Sequence, residues 1–205
     1  MSAGATDVIT ILGKRGSGKS TLAWEFAKLY PRLIVFDPLN EHDESNFTHV
    51  VDTFDDFADA ILATARKANF RILYRFDVES DSHDEEFNHA QRVLYYRGDV
   101  AQLVEEVWIF SGKGAIPKWL RQCYLTGRHR GLAIIVTSQR PASVHKDIMA
   151  QTNQFFSGTM FESNDVRYLA EFLGKENAES LRNLPPYRFL HYRPGQPSQV
   201  VKNKA

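Results

Sequence analysis

The sequence predicts an α/β fold in which a mainly parallel sheet is flanked by helices. Apolar segments rich in β-branched residues alternate with segments of helical periodicity along most of the 205 residues, a pattern typical of parallel strands joined by helical crossovers. Residues 33–36 are apolar at every position, as expected for a strand covered by helices on both faces. Residues 193–197 contain Pro and Gly and separate the last two extended segments, which indicates a hairpin at the sheet edge. We expect one domain over the whole chain, with its core over about residues 8–175 and edge strands over about 185–202.

The first half of the chain contains four predicted strands and three predicted helices. The strands cover residues 8–12, 33–36, 50–51 and 70–76, and the helices cover 21–29, 54–65 and about 87–96. Thr53 or Asp55 is available as the N-cap of the second helix. Residues 77–86 are acidic and contain no Lys or Arg, which favours a solvated loop leading into the third helix. His83 and these acids have no regular spacing, so a metal site is disfavoured there.

The second half contains five predicted strands and three predicted helices. The strands cover residues 100–104, 132–137, 155–161, 187–192 and 199–201, and the helices cover 116–125, about 146–149 and 165–173. Cys123 is the single cysteine and lies on an amphipathic helix, which favours a buried packing thiol over a nucleophile. We expect residues 202–205 to be frayed.

The charge and the apolar pattern of the sequence restrict the partners and the location that we expect. Lysine plus arginine equals aspartate plus glutamate, 25 of each, so the net charge is near zero. Any contact with nucleic acid must therefore come from a local basic patch. No run of about 18 apolar residues occurs, so no membrane span is predicted. The first residues lack the basic and apolar regions of a signal peptide, and we expect a soluble intracellular protein.

The stretch from Gly13 to Thr21 predicts a nucleotide-phosphate site. It fits G-x-x-x-x-G-K-[ST] and lies between a predicted strand and a predicted helix. Its glycines let successive N–H groups turn toward one anion, and the helix adds its positive N-terminal end. We expect Lys19 to reach the β- and γ-phosphates of ATP and Ser20 to bind Mg²⁺. The predicted nucleotide-binding residues are Gly13, Lys14, Arg15, Gly16, Ser17, Gly18, Lys19, Ser20 and Thr21.

Glu105 and Glu106 follow an apolar predicted strand. ATP hydrolysis by water needs one carboxylate near Mg²⁺ and a second that polarises the attacking water. We assign Glu105 to the magnesium ion and Glu106 to the water, because the chain leaves the sheet here and adjacent side chains need not point to opposite faces. The alternative is a solvated pair on a helix through residues 104–108.

Two other polar residues end predicted strands. Gln139 lies at the tip of a buried strand beside the phosphate-loop strand, where its side chain can hydrogen-bond the γ-phosphate or the attacking water. The alternative for Gln139 is a turn residue before Pro141. Asp37 precedes Pro38 and is either a carboxylate of the nucleotide site or a turn former.

Residues 112–131 carry a basic window with no acidic residue. Such segregation suggests an anionic partner or a neighbour's γ-phosphate, and the alternative is an ordinary solvated helix face. Arg128 and Arg130 precede a strand, so we expect them at the sheet edge away from their own phosphate loop. An arginine finger at either position would therefore act across a subunit interface. The basic residues are Lys113, Lys118, Arg121, Arg128 and Arg130.

Together, these segments resemble the FtsK/HerA-type DNA-translocating ATPases. The resemblance covers about residues 8–175 and rests on the phosphate loop, Asp37-Pro38, Glu105-Glu106 and Thr-Ser-Gln-Arg-Pro at 137–141, which follows Gly-Arg-His-Arg-Gly at 127–131. The family usually carries Asp where Glu105 stands. Within this group, the chain is most similar to the genome-packaging ATPases of membrane-containing icosahedral viruses, because it is short and shows no extra domains.

The resemblance implies a RecA-like P-loop NTPase core, a homo-oligomeric ring that is commonly hexameric, and ATP-driven movement of double-stranded DNA. It implies ATP and Mg²⁺ as cofactors, catalytic roles for Lys19, Glu106 and Gln139, and metal binding by Ser20 and Glu105. Capsid or membrane-vertex proteins are further expected partners, and the host cytoplasm or the packaging vertex of a virion is the expected location. The alternatives are a small-molecule or nucleoside kinase and a non-motor phage assembly or secretion protein resembling the zonula occludens toxin group.

Overall fold

The computed structural model describes residues 7–111 and 114–203 of the chain. Nine strands are assigned in these two ranges. They are β1 (Val8–Leu12), β2 (Arg32–Asp37), β3 (His49–Val51), β4 (Phe70–Arg75), β5 (Ala101–Val104), β6 (Ala133–Ser138), β7 (Gln154–Ser157), β8 (Arg188–Tyr192) and β9 (Gln199–Lys202). They form one sheet in the order β3-β4-β2-β5-β6-β1-β7-β8-β9.

Seven α-helices are assigned in the same part of the chain. They are α1 (Lys19–Ala27), α2 (Phe54–Ala63), α3 (His83–Arg97), α4 (Lys118–Thr126), α5 (Lys146–Gln151), α6 (Ser163–Leu173) and α7 (Lys175–Ser180). Among the described residues, no helix has the length and apolar character that crossing a membrane requires.

The sheet is parallel from β3 to β7 and antiparallel only at its C-terminal edge. All pairings among β1 to β7 are parallel, whereas β8 pairs antiparallel with both β7 and β9. The predicted α/β fold with a mainly parallel sheet and a C-terminal edge hairpin is therefore confirmed. Because the central strands are parallel, the residues that follow β1, β5 and β6 meet at one edge of the sheet.

Two apolar clusters cover the two faces of the sheet. Successive side chains of a strand point to opposite faces. Accordingly, Leu33 and Val35 of β2 pack in one cluster, and Ile34 and Phe36 pack in the other. All four side chains are fully buried. The all-apolar pattern of this strand thus results from helices that cover both faces.

The structure corrects three element predictions. Helix α3 begins at His83, within the acidic segment that the sequence predicts as a loop; its first turn is acidic, and negative charge stabilises a helix N-terminus. Strand β7 ends at Ser157 instead of extending to residue 161, because Met160 leaves the sheet and donates its N–H to the carbonyl of Leu181. Helix α7 is not predicted by the sequence pattern. It is short and begins directly after Gly174, the residue that ends α6.

The C-terminal segment is more ordered than the sequence predicts. Lys202 belongs to β9, and Asn203 is buried and bonded to the body of the protein. The remaining two residues of the predicted frayed tail, 204–205, lie outside the described residues. Cys123 is buried in the core, and burial raises the pKa of its thiol to about 12. The prediction of a packing thiol is therefore confirmed.

Candidate nucleotide-binding site

The predicted phosphate loop joins the carboxyl end of β1 to the first turn of α1. Gly16 and Gly18 have φ angles of 74° and 86°, which L-residues with side chains rarely adopt. Gly13 is not in this region; a Cβ placed there would lie 2.6 Å from Ser17 Oγ. Gly13 and Gly18 therefore have different roles. Gly13 allows the side chain of Ser17 to approach the backbone closely, and Gly18 forms the turn into α1.

An open pocket of about 600 Å³ lies over this loop. Residues from the loop, the first turn of α1, the segment after β2, and the ends of β5 and β6 form its walls. They are Arg15, Gly16, Gly18, Lys19, Ser20, Thr21, Leu39, Glu41, Glu106 and Gln139. The structure therefore brings most of the predicted loop together with Glu106 and Gln139, although they are far apart in the chain.

Lys19 is paired with Glu106 at the floor of the pocket. Lys19 Nζ lies 2.9 Å from Glu106 Oε1, and both side chains are buried. A buried charge is costly unless it is paired. Lys19 and Glu106 therefore hold each other in place. A phosphate bound in the pocket would compete with Glu106 for the lysine.

The backbone and the second oxygen fix the orientation of Glu106. Its φ and ψ of 46° and 53° are left-handed, and its N–H donates to Thr137 Oγ1 at 2.9 Å. Glu106 Oε2 accepts hydrogen bonds from Trp108 Nε1 at 2.8 Å and from the N–H of Gln139 at 2.9 Å. With Oε2 held in this way, Oε1 points to Lys19.

Glu105 lies beside Ser20 rather than beside Lys19. Ser20 Oγ lies 3.4 Å from Glu105 Oε2, and Thr137 Oγ1 donates to the same oxygen. A hydroxyl and a carboxylate are the oxygen ligands that Mg²⁺ prefers, usually completed by waters and substrate phosphates. No cluster of three or more His, Cys, Asp or Glu side chains suited to a metal occurs within residues 7–111 and 114–203. This donor pair fits a magnesium ion that is shared with a nucleotide.

His42 supports Glu105 from the segment after β2. Its Nε2 lies 3.2 Å from Glu105 Oε1. Burial lowers the pKa of His42, but the hydrogen bond and the charge of Glu105, together with the charges of Asp37 and Glu41, outweigh burial and raise the pKa overall.

Asp37 behaves as a turn former. One carboxylate oxygen accepts from the N–H of Leu39 at 3.3 Å and the other from the N–H of His42 at 2.9 Å. Asp37 is fully buried. It therefore shapes the segment that carries His42 and Leu39, and of the two interpretations left open by the sequence, the turn former describes its contacts.

The predicted arginines lie at the opposite edge of the sheet. Arg128 and Arg130 belong to a short 3₁₀ helix directly before β6, whereas the phosphate loop follows the carboxyl end of the neighbouring, parallel β1. Arg130 covers the rings of Tyr95 and Tyr96. The structure thus does not bring these arginines to the pocket of their own chain.

One charge of the basic window is compensated by a tertiary contact, since Arg121 pairs with Asp147 on α5 at 2.8 Å. Lys118 lies over the ring of its neighbour in the chain, Trp119. Lys113, the first basic residue of the window, lies outside the described residues.

Sequence reasoning missed three side chains that hold the carboxylates: His42, Trp108 and Thr137. Thr137 belongs to the motif that carries the family resemblance, but the motif alone gave its side chain no role. A polar side chain inside a buried strand was the available signal, because such a group needs a hydrogen-bond partner. His42 gave no such signal, because only the folded chain brings it to Glu105. Trp108 is two residues from Glu106, and its contact depends on the left-handed turn at Glu106.

Known proteins resemble this chain in fold and, over part of its length, in sequence. No protein-family model matches the chain. Over 91 residues, 42% of its length, it is 31% identical to the probable DNA double-strand break repair helicase HerA of Methanocaldococcus jannaschii; the match spans only 18% of that protein. The structure of the genome packaging NTPase B204 from Sulfolobus turreted icosahedral virus 2 in complex with ATPγS matches with a TM-score of 0.79 at 19% identity, over 99% of this chain and 100% of that chain.

A third match is VirB4 of Thermoanaerobacter pseudethanolicus, with a TM-score of 0.69 at 13% identity, over 100% of this chain and 92% of that chain. Such low identities show a shared fold, and the HerA match adds similarity in sequence. The similarities are consistent with an ATP-hydrolysing enzyme. The resemblance predicted from the sequence is confirmed: the chain has the fold of these P-loop NTPase structures, and it resembles the FtsK/HerA-type ATPases.

Proposed function

We propose that the chain is an ATP-hydrolysing motor that moves double-stranded DNA, and that its task is to package a viral genome into a preformed capsid. The observation that carries the hydrolytic part is the geometry of Glu106. One carboxylate oxygen contacts Lys19, and the other accepts hydrogen bonds from two fixed donors. The similarity to packaging and HerA-type proteins supports the DNA-moving part.

ATP binding changes the partner of Lys19. The ammonium group is shared between Glu106 and any phosphate that enters the pocket, and a triphosphate carries more negative charge than one carboxylate. When Lys19 turns to the β- and γ-phosphates, Glu106 Oε1 is left without its cation while Oε2 remains held. Glu106 can then accept a proton from a water that attacks the γ-phosphate, and Gln139 beside it can orient that water.

Ser20 and Glu105 are the residues that would hold a magnesium ion, which would neutralise negative charge on the phosphates. This chain's contribution is to hold Glu105 in place: Thr137 donates to one of its oxygens, and His42 contacts the other.

The motor acts as a homo-oligomeric ring, which we take to be a hexamer, in the host cytoplasm or at the packaging vertex with capsid or membrane-vertex proteins. The placement of Arg128 and Arg130 supports a ring, since these residues can complete a neighbour's site but not their own. The expected arginine finger is one of these two.

The test is ATPase activity with and without duplex DNA. We expect wild-type activity to rise with double-stranded DNA. We expect Lys19→Ala to abolish activity, and Glu106→Gln to reduce it by about 10²- to 10⁴-fold while ATP still binds. Glu85→Gln, a change of an exposed glutamate on α3, is the matched control and should leave the rate unchanged.

Size measurement in the presence of ATP and DNA completes this test. A DNA-independent ATPase that stays monomeric would contradict the motor. Phosphate transfer to a small acceptor, with little release to water, would instead indicate a kinase.

A further inference from the structure

We expect a nucleotide bound at the phosphate loop to have its two ends on opposite sides of β1. The groups expected to meet the γ-phosphate, Glu106 and Gln139, follow β5 and β6, which lie on one side of β1. Strands β7, β8 and β9 lie on the other side. If the γ-phosphate lies at Glu106, we expect the ribose and base to extend across the phosphate loop toward the C-terminal hairpin, beyond the residues that line the pocket.

Tyr187 stands on that side, against the end of the phosphate loop. A Cβ placed at Gly18 would lie 3.1 Å from Tyr187 Cδ1 and 3.7 Å from Cε1. The tyrosine nevertheless remains 50% exposed. Its φ of 57° is left-handed, a conformation that non-glycine residues adopt rarely and that often marks a functional position.

Asn203 ties this corner together. Its Nδ2 donates to the carbonyl of Gly18 at 3.0 Å, and its N–H donates to the carbonyl of Tyr187 at 3.0 Å. The residue is 1% exposed, and its Oδ1 has no hydrogen-bond partner among the described residues. Asn203 thus fixes the phosphate loop and Tyr187 relative to each other. Within the described part of the chain, its Oδ1 is an unused hydrogen-bond acceptor at their junction.

We propose that Tyr187 is the stacking platform for the base of the bound nucleotide, and that Asn203 is the positioning residue that holds this platform against the phosphate loop. The proposal rests on the nucleotide-binding function proposed above. Base–aromatic stacking accepts any base, because every base has a π-face. The platform therefore contributes affinity for a nucleoside triphosphate over a bare polyphosphate, rather than a choice among bases.

Other places for the base fit less well. Leu39 and Glu41 line the pocket on the β2 side, but β2 lies beyond β5, so a base there would have to fold back past its own γ-phosphate. Phe161 is also exposed beside the loop, but the ammonium of Lys14 lies 4.6 Å from its ring centroid. Tyr187 offers a ring at the loop without such a partner among the contacts of the described residues.

The test is calorimetric titration of the full chain with two ligands, ATP and inorganic tripolyphosphate, each with Mg²⁺. We expect Tyr187→Ala to weaken ATP binding about ten- to hundredfold and to leave tripolyphosphate binding unchanged, because the latter has no base. Tyr187→Phe should keep wild-type affinity for both ligands. The two variants share the backbone cost of a left-handed non-glycine residue, so their difference reports the ring alone.

Three further variants sharpen this test. Tyr96→Ala removes another exposed tyrosine, on α3, and should change neither affinity. Asn203→Ala should weaken ATP binding but add little to the loss in a Tyr187→Ala background. Phe161→Ala should leave ATP binding close to wild type; a loss there together with an unchanged Tyr187→Ala would place the base on Phe161 and overturn the proposal.

The outcomes separate this proposal from the proposed function. Wild-type ATP binding with no effect of Tyr187→Ala would overturn the stacking platform and leave the ATPase intact. Equal losses for ATP and tripolyphosphate would also overturn it, since the ring would then shape the phosphate loop instead of binding the base. A wild-type chain that binds neither ligand would contradict the nucleotide site itself, and with it both proposals.

Discussion

Glu106 shows how one residue's backbone sets the chemistry of the site. In an extended strand, adjacent side chains point to opposite faces, yet Glu105 and Glu106 both reach the carboxyl edge of the sheet. The left-handed conformation of Glu106 makes this possible. For a residue with a side chain, that conformation costs on the order of 1–2 kcal/mol, and the hydrogen bond from its N–H to Thr137 helps to offset the cost.

His191 gives a prediction at the same scale. Burial, together with the charge of Arg193, lowers the pKa of this histidine, and its ring stacks on Phe156 with centroids 4.2 Å apart. The unfolded chain binds the proton of this histidine more readily than the folded chain does. The contribution of His191 to the free energy of unfolding is therefore complete above the unfolded pKa of about 6.5. It falls as the pH drops below that value, by at most about 1.4 kcal/mol per pH unit.

The measurement is urea unfolding of wild type and of His191→Phe at pH 7.5 and at pH 5. The phenylalanine keeps a ring on Phe156 and does not titrate. We expect the wild type to lose more stability on acidification than the variant. Parallel pH profiles for the two proteins would contradict the lowered pKa.

At the scale of elements, the beginnings of helices follow local sequence signals where a cap is present. Of the two N-cap candidates for α2, the structure selects Thr53, whose Oγ1 accepts the N–H of Asp56 at 3.2 Å. Helix α3, in contrast, begins after Ser82 with no side-chain cap. Its start was accordingly misplaced by the sequence pattern, which shows periodicity only once the apolar face begins at Phe87.

Thr53→Ala should therefore destabilise the protein by about 1 kcal/mol, the usual cost of losing an N-cap side chain. Denaturant unfolding measures this loss. Thr53→Ser is the matched control because it keeps the hydroxyl, and it should recover most of the stability. If alanine and serine were equally stable, the hydrogen bond at the start of α2 would contribute nothing.

At the scale of the whole molecule, the two edges of the sheet carry different parts of the proposed machinery. The carboxyl edge holds the phosphate loop and both glutamates, and Arg128 and Arg130 precede the amino end of β6. A six-residue strand separates the two edges, about 20 Å at the usual rise per residue. An arginine can cross that distance only by belonging to another subunit.

Mixing variants tests this arrangement. We expect Arg128→Ala or Arg130→Ala, whichever removes the finger, to lower ATPase activity by about 10³- to 10⁵-fold. Mixing that variant with inactive Lys19→Ala should restore part of the activity, because some interfaces then combine an intact lysine with an intact arginine. Full activity of both arginine variants would exclude a finger at these positions, and failure of mixing to restore activity would argue against action between subunits.

The sequence by itself determined the phosphate loop, the order of most strands and helices, and the mainly parallel sheet. These features are written locally, in glycine spacing and in apolar periodicity. Only the tertiary structure decided that Thr137, Trp108 and His42 hold the two glutamates, and that Asn203 is buried against Gly18 instead of fraying. These contacts join residues 2 to 185 positions apart. No local pattern specifies the long-range contacts, because they depend on which strands become neighbours when both faces of the sheet are buried. The Trp108 contact is local, and it depends on the left-handed turn at Glu106.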